Sequence, residues 1–157
     1  MTKILIPASS AEDWKQFLAE PKKQWKSGYS ARSLAHCWQD ADGMPSNFAN
    51  VLAQVPSLQN LSTVFAIPEH KVPLPGGRRE SQNDIWVLAE SDSGLVSIAV
   101  EGKVSEPFGP TVGEWLLNAS QGKETRLKFL CDELSLAYPP SKSARYQLFH
   151  RTYSAIH

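Results

Sequence analysis

Cysteine is scarce, long apolar runs are missing, and neither sign of charge prevails in these 157 residues. The two cysteines, Cys37 and Cys131, are too few for a zinc knuckle, and no CxxC or HxxxH spacing supplies them with partners. Both fall in expected helices and read as reduced, buried thiols. No apolar stretch approaches the roughly 20 residues that span a bilayer, so no membrane segment is expected. The N-terminal run ILIPA is too short for the apolar part of a signal peptide, and Glu12 and Asp13 soon follow. Cytoplasmic residence is the resulting expectation. Sixteen Lys and Arg balance sixteen Asp and Glu, which argues against bulk DNA binding through dense positive charge. A local basic patch or a metal-dependent site stays open.

What is present points to compact folding. The hydrophobic share is 41%, with five Trp, and the length fits one domain over residues 1–157. The expected class is α/β (α+β), in three parts: helical over residues 10–55, a sheet over 62–104, and helical again over 111–157. Residues 3–7 read as a short edge strand. Ser10 reads as a helix N-cap, with Asp13 three residues on and Trp14, Phe17 and Leu18 on one face; Pro21 is expected to stop that helix. Ala31, Leu34, Ala35 and Trp38 share a helix face ended by Gly43, and Ser46 starts a shorter helix. Residues 63–72 read as a strand, LPGGRRESQN as a loop, and DIWVLAE and LVSIAVEGKV as two strands joined by the turn signal SDSG. Thr111 and Glu114 form a capping-box pattern, Gly122 is read as a break, and Leu127, Leu130, Cys131 and Leu134 make an apolar face. Residues 144–156 form the last helix.

The candidate chemistry lies on the hairpin. The tripeptide ExK occurs three times, at Glu20/Lys22, Glu69/Lys71 and Glu101/Lys103. Chance alone supplies about one match in every two chains of this size, so geometry has to separate them. A turn centred between Asp92 and Ser93 pairs residues whose numbers sum to 185, which sets Asp84 opposite Glu101. Alternation places Val96, Ile98 and Val100 on one face and Ala99, Glu101 and Lys103 on the other. Asp84, Glu101 and Lys103 then converge at the open end of the hairpin. Two such carboxylates repel unless a cation or a shared proton intervenes, and Mg²⁺ suits them, with Lys103 steadying charge on a phosphate. A Lys–carboxylate salt bridge at a partly exposed hairpin end is the competing reading. Glu69 is a further carboxylate on the neighbouring strand.

The pattern D-x16-E-x-K across a hairpin flanked by helices resembles the PD-(D/E)XK nuclease superfamily. That resemblance implies a restriction-endonuclease-like core, a small mixed sheet with a central antiparallel hairpin flanked by helices. It also implies a Mg²⁺-dependent phosphodiesterase acting on nucleic acid, with Asp84 and Glu101 as metal ligands and Lys103 as catalytic lysine. The Gly102 carbonyl is a further ligand in that scheme. Asn83 stands where the superfamily has Pro, and its usual fourth strand is not evident after the ExK segment. Either residues 3–7 fill that place or the chain is a shortened form, and a homodimer is one route to a complete core. Longer stretches, GYSARSLAHCW, VPLPGGRRESQND, VEGKVSEPFGPTVGEW and RYQLFHRTYSA, resemble an uncharacterised bacterial domain family. The alternative function is a non-catalytic protein-interaction module that keeps the fold.

Other polar residues carry two readings each. Gln147 and Arg151, four apart on the last helix, suit phosphate positioning or a solvated stripe, and Gln82 suits a substrate contact or a strand cap. His150 reads as a core histidine. Residues 76–79, GGRR, read as a flexible loop rather than a phosphate cradle.

Overall fold

The computed structural model describes residues 3–4 and 8–157. The chain divides into two compact units, Met1–His70 with Asn83–Glu106, and Lys71–Gln82 with Pro107–His157. It is a mixed α+β protein whose sheet has three strands in the order β1 (Ser62–Val72), β2 (Ser81–Ser91) and β3 (Gly94–Val100).

In the first unit, β2 and β3 pair antiparallel from Ser91 and Gly94 to Ile85 and Val100, and every pair sums to 185 as expected. Alternation along β2 buries Asn83, Ile85, Val87, Ala89 and Ser91. Ile85 and Val87 are wholly buried, Val100 nearly so, and Ile98 packs half-buried against them. Their apolar face meets Trp14, Ala35 and Trp38 from the helical segments, which gives both layers something to cover. Those segments are a 3-10 turn over Ala11–Phe17 and the helices α1 (Pro21–Gln24), α2 (Ser30–Ala41) and α3 (Ser46–Leu52).

Several boundaries differ from expectation. Ala11–Phe17 winds as 3-10 rather than α, although Asp13 does reach back to the Ser10 amide at 2.9 Å. Pro21 opens a one-turn helix instead of only stopping one, because its fixed φ suits the first helical position. Asp42 takes the left-handed conformation after α2, and Gly43, also at positive φ, closes the end as expected with its N–H on the Trp38 carbonyl at 3.4 Å. Of the expected N-terminal strand, residues 5–7 lie outside the described residues; Ile4 forms a parallel bridge to Ala66. Cys37 is exposed rather than buried, while Cys131 is buried, and both are free.

The second unit holds α4 (Val112–Trp115), α5 (Gln121–Glu133) and α6 (Tyr146–Ile156). The Thr111–Glu114 capping box forms in both directions, at 2.7 and 3.2 Å. Leu127, Leu130 and Cys131 are fully buried against Val72, Leu74, Val112, Phe149 and Tyr153. Gly122 does not break the chain: it lies inside α5, which Ser120 caps through the Lys123 amide.

Candidate functional site

β3 ends at Val100, so Glu101 and Lys103 leave the ladder that was expected to carry them. The physical reason is Asp84. Its Oδ2 accepts the Gly102 N–H at 2.7 Å, and a charge-assisted bond of this kind replaces the strand carbonyl as acceptor. The carboxylate of Asp84 on β2 therefore holds the backbone amide between Glu101 and Lys103. Lys103 donates to Glu101 Oε1, and the two side chains expose only 18% and 16% of their surface. The exposed helical pairs, such as Lys23 with Glu20 and Lys128 with Asp132, show 57% or more. The competing expectation, a Lys–carboxylate salt bridge at a partly exposed hairpin end, agrees with the Lys103–Glu101 pair itself.

Gly102 has a packing requirement. A Cβ there would come within 2.3 Å of Leu34 Cδ1 and 3.2 Å of Ser30 Cβ, so the ExK segment lies flat on the first turns of α2. Glu106, which the sequence reading passed over, holds that arrangement. Its carboxylate accepts from the Ser30 N–H and hydroxyl, both at 2.7 Å, and from the Val104 and Ser105 amides at 3.0 and 3.1 Å. α2 begins after Tyr29, whose side chain makes no cap, and the unpaired donors of the first turn are met from a remote carboxylate instead. No local sequence signal announces this, because the cap lies 76 residues downstream.

Burial alone would raise the Glu106 pKa, but the hydrogen bonds from Ser30 and Val104 outweigh it and hold the carboxyl at about 2 against an ordinary 4.5. A carboxylate depressed in the folded state stabilises fully above about pH 4.5, and that contribution is lost as pH falls toward 2. At about 1.4 kcal/mol per pH unit, discounted for partial exposure, it amounts to about 1–2 kcal/mol. Glu106→Gln is expected to lose that stability at pH 7 and to flatten the stability profile between pH 4.5 and 2. Urea denaturation of both proteins at several pH values checks this, and parallel profiles would refute it.

On the face shared with Asp84, Trp86 is half-buried, donates to Ser97 Oγ at 2.9 Å, and lies 5.7 and 5.5 Å from the rings of Phe65 and His70. On the opposite face Asn83 is fully buried, and neither of its amide atoms has a partner among the described residues. That arrangement costs about 1–3 kcal/mol. Among the described residues no three His, Cys, Asp or Glu side chains cluster as a metal site, so Glu69 does not join Asp84 and Glu101.

The remaining predicted residues belong to the second unit. Gln82, Gln147 and Arg151 are half-buried there. Arg151 Nη1 donates to Ser81 Oγ at 3.2 Å, and the same hydroxyl lies 2.9 Å from His150 Nδ1 and from Ser154 Oγ. Ser81, His150, Arg151 and Ser154 thus form a partly buried polar knot. Burial, followed by the charges of Arg151 and Arg126, lowers the His150 pKa to about 3, so the imidazole stays neutral at physiological pH, as a core histidine should.

No helix among the described residues is long and apolar enough to cross a membrane. No curated protein and no solved structure matches the chain. A family model described as a domain of unknown function, DUF6946, matches residues 7–157, and the chain belongs to that family.

Proposed function

We propose that the first unit carries a Mg²⁺-dependent phosphodiesterase centre of nuclease type acting on nucleic acid, built on a reduced restriction-endonuclease-like core. The observation that supports this reading is the Asp84–Gly102 hydrogen bond, which sets the Asp84 carboxylate against the backbone between Glu101 and Lys103, themselves a partly buried ion pair. Burying a charged pair costs desolvation that a well-packed apolar pair would avoid, so stability alone is a poor reason to keep it. The donor set suits a hard cation: Asp84 and Glu101 offer carboxylate oxygens, and Gly102 a carbonyl. Mg²⁺ takes one or two carboxylates and retains several waters. When bound, the ion would neutralise phosphate charge and acidify a coordinated water. Asp84 and Glu101 would hold it, and the Lys103 ammonium would place positive charge beside the phosphodiester. Trp86 with Phe65 and His70 offers an aromatic surface on the same face of the sheet, suited to base stacking. Gln82, Gln147 and Arg151 belong to the second unit and carry no part of this proposal.

A second reading, a non-catalytic protein-interaction module, is favoured by the closure of Lys103 on Glu101, since both charges are already engaged. Calorimetry with and without millimolar Mg²⁺ separates the two. The nuclease reading expects a higher Tm with Mg²⁺, and expects Asp84→Asn to abolish that rise without unfolding the protein, because the amide oxygen still accepts the Gly102 N–H. It also expects Mg²⁺-dependent cleavage of DNA or RNA that Lys103→Met removes. An unchanged Tm together with no cleavage would establish the interaction module.

A further inference from the structure

We propose that a cavity beside α5 in the second unit is a phosphate-binding site, an inference that does not rest on the nuclease reading. Its volume is about 240 Å³, and it is lined by the 76–79 loop, Trp115, Lys123 and Arg126. Four of its seven lining residues are cationic and none is acidic, in a chain whose charges balance overall. The neighbouring cavity along the same helix behaves differently: there Glu124 and Asp132 offset Lys128.

The cations are gathered against their own repulsion and against the helix. Lys123 lies in the first turn of α5 and Arg126 in the second, the end where the backbone dipole is positive and favours anions. The two are also held in place. Arg126 donates from Nε to the Pro75 carbonyl at 2.8 Å and from Nη2 to the Leu74 carbonyl at 3.4 Å. Lys123 donates to the Trp115 carbonyl at 2.7 Å, with its ammonium 5.2 Å from the Trp115 ring centre. Arg78 and Arg79 are exposed.

The start of the loop that carries Arg78 and Arg79 lies directly against α5. A Cβ on Gly76 would lie 2.0 Å from the Gly122 carbonyl oxygen, and one on Gly77 would lie 3.3 Å from Arg126 Nη2. Two glycines let the loop backbone press onto α5, so that Arg78 and Arg79 face the same cavity as Lys123 and Arg126. Four cations lining one cavity without a carboxylate recognise an anion of high charge density. The volume lies below the roughly 300–1,000 Å³ of pockets that enclose drug-sized ligands. It therefore suits a phosphate group, free or at the end of a nucleotide strand, with the remainder of a larger ligand outside.

Isothermal titration of the full chain at low ionic strength tests this with inorganic phosphate and with a 5′-phosphorylated trinucleotide, against chloride and the unphosphorylated trinucleotide. Binding of either phosphate-bearing probe, weakened at least tenfold in Arg78→Ser/Arg79→Ser, is the expected result. Binding of inorganic phosphate identifies the free group as sufficient, and binding of the trinucleotide alone identifies a strand-borne group. The variant changes only exposed side chains, and an unchanged melting curve will show that it is folded. Failure of both probes to exceed the chloride control, or equal binding by wild type and variant, would overturn the proposal.

Discussion

Gly76→Ala is expected to lower stability by about 3 kcal/mol or more, the largest effect of any single methyl group in the second unit. The added Cβ would meet the Gly122 carbonyl oxygen at 2.0 Å, with the Gly122 carbonyl carbon and the Arg126 amide nitrogen at 3.0 and 3.1 Å. Every one of these atoms is backbone, so no side chain can rotate out of the way. Gly76 also sits at φ +77°, where a residue with a Cβ carries about 1–2 kcal/mol of steric cost. The loop and α5 must separate, and overpacking of this kind adds about 1–3 kcal/mol. Gly122→Ala makes the reciprocal test. It gains up to about 1 kcal/mol of helix propensity, yet its Cβ lies 2.3 Å from the Gly76 carbonyl oxygen, and the overlap wins. Thermal melts of both variants should fall by about 6–12 °C for a chain of this size. A Tm within about 2 °C of wild type would show that the loop swings freely from the helix.

Lys103→Met is the second large effect, and its value lies in comparison with a double variant. Removing one partner of a largely buried ion pair leaves the other charge in a poorly solvated place, at about 3–5 kcal/mol when burial is complete. With 18% and 16% of the side-chain surfaces still exposed, about 2–3 kcal/mol is expected. Lys103→Met combined with Glu101→Leu removes both charges and keeps the volume, so most of that loss should return. Urea denaturation of the four proteins closes the cycle. Recovery in the double variant means the charges are not retained for folding, which strengthens the catalytic reading. A double variant as unstable as both single changes added together would assign the pair a structural role.

How much of this was legible in the sequence depends on how local the cause is. The hairpin register was, because SDSG fixes the turn and strict alternation fixes the faces, so Ile85, Val87 and Val100 went to the core together. The meeting of Asp84 with the ExK segment followed from that register. The way they meet did not. Glu101 and the residues after it exchange ladder bonds for side-chain acceptors on Asp84 and Glu106, and no period of two or 3.6 records such a trade. The place of Gly122 inside α5 is hidden in the sequence for a related reason. A glycine that a distant backbone requires looks, in one dimension, the same as a glycine that ends a helix. The 3-10 winding of Ala11–Phe17 shares its capping signature with an α-helix, and only packing against α2 distinguishes them.

The bond from Gly102 to Asp84 has a spectroscopic use. Most backbone amide protons in a folded chain point at carbonyls, whose charge does not vary with solution conditions. The Gly102 proton points at a carboxylate oxygen 2.7 Å from its nitrogen, so its magnetic shielding follows the ionisation and the ligation of one side chain. Glycine nitrogens resonate apart from the other amides, and this chain has only nine. A ¹⁵N-labelled sample titrated with acid, and separately with Mg²⁺, would therefore report on Asp84 through a single well-resolved peak, with no substrate required.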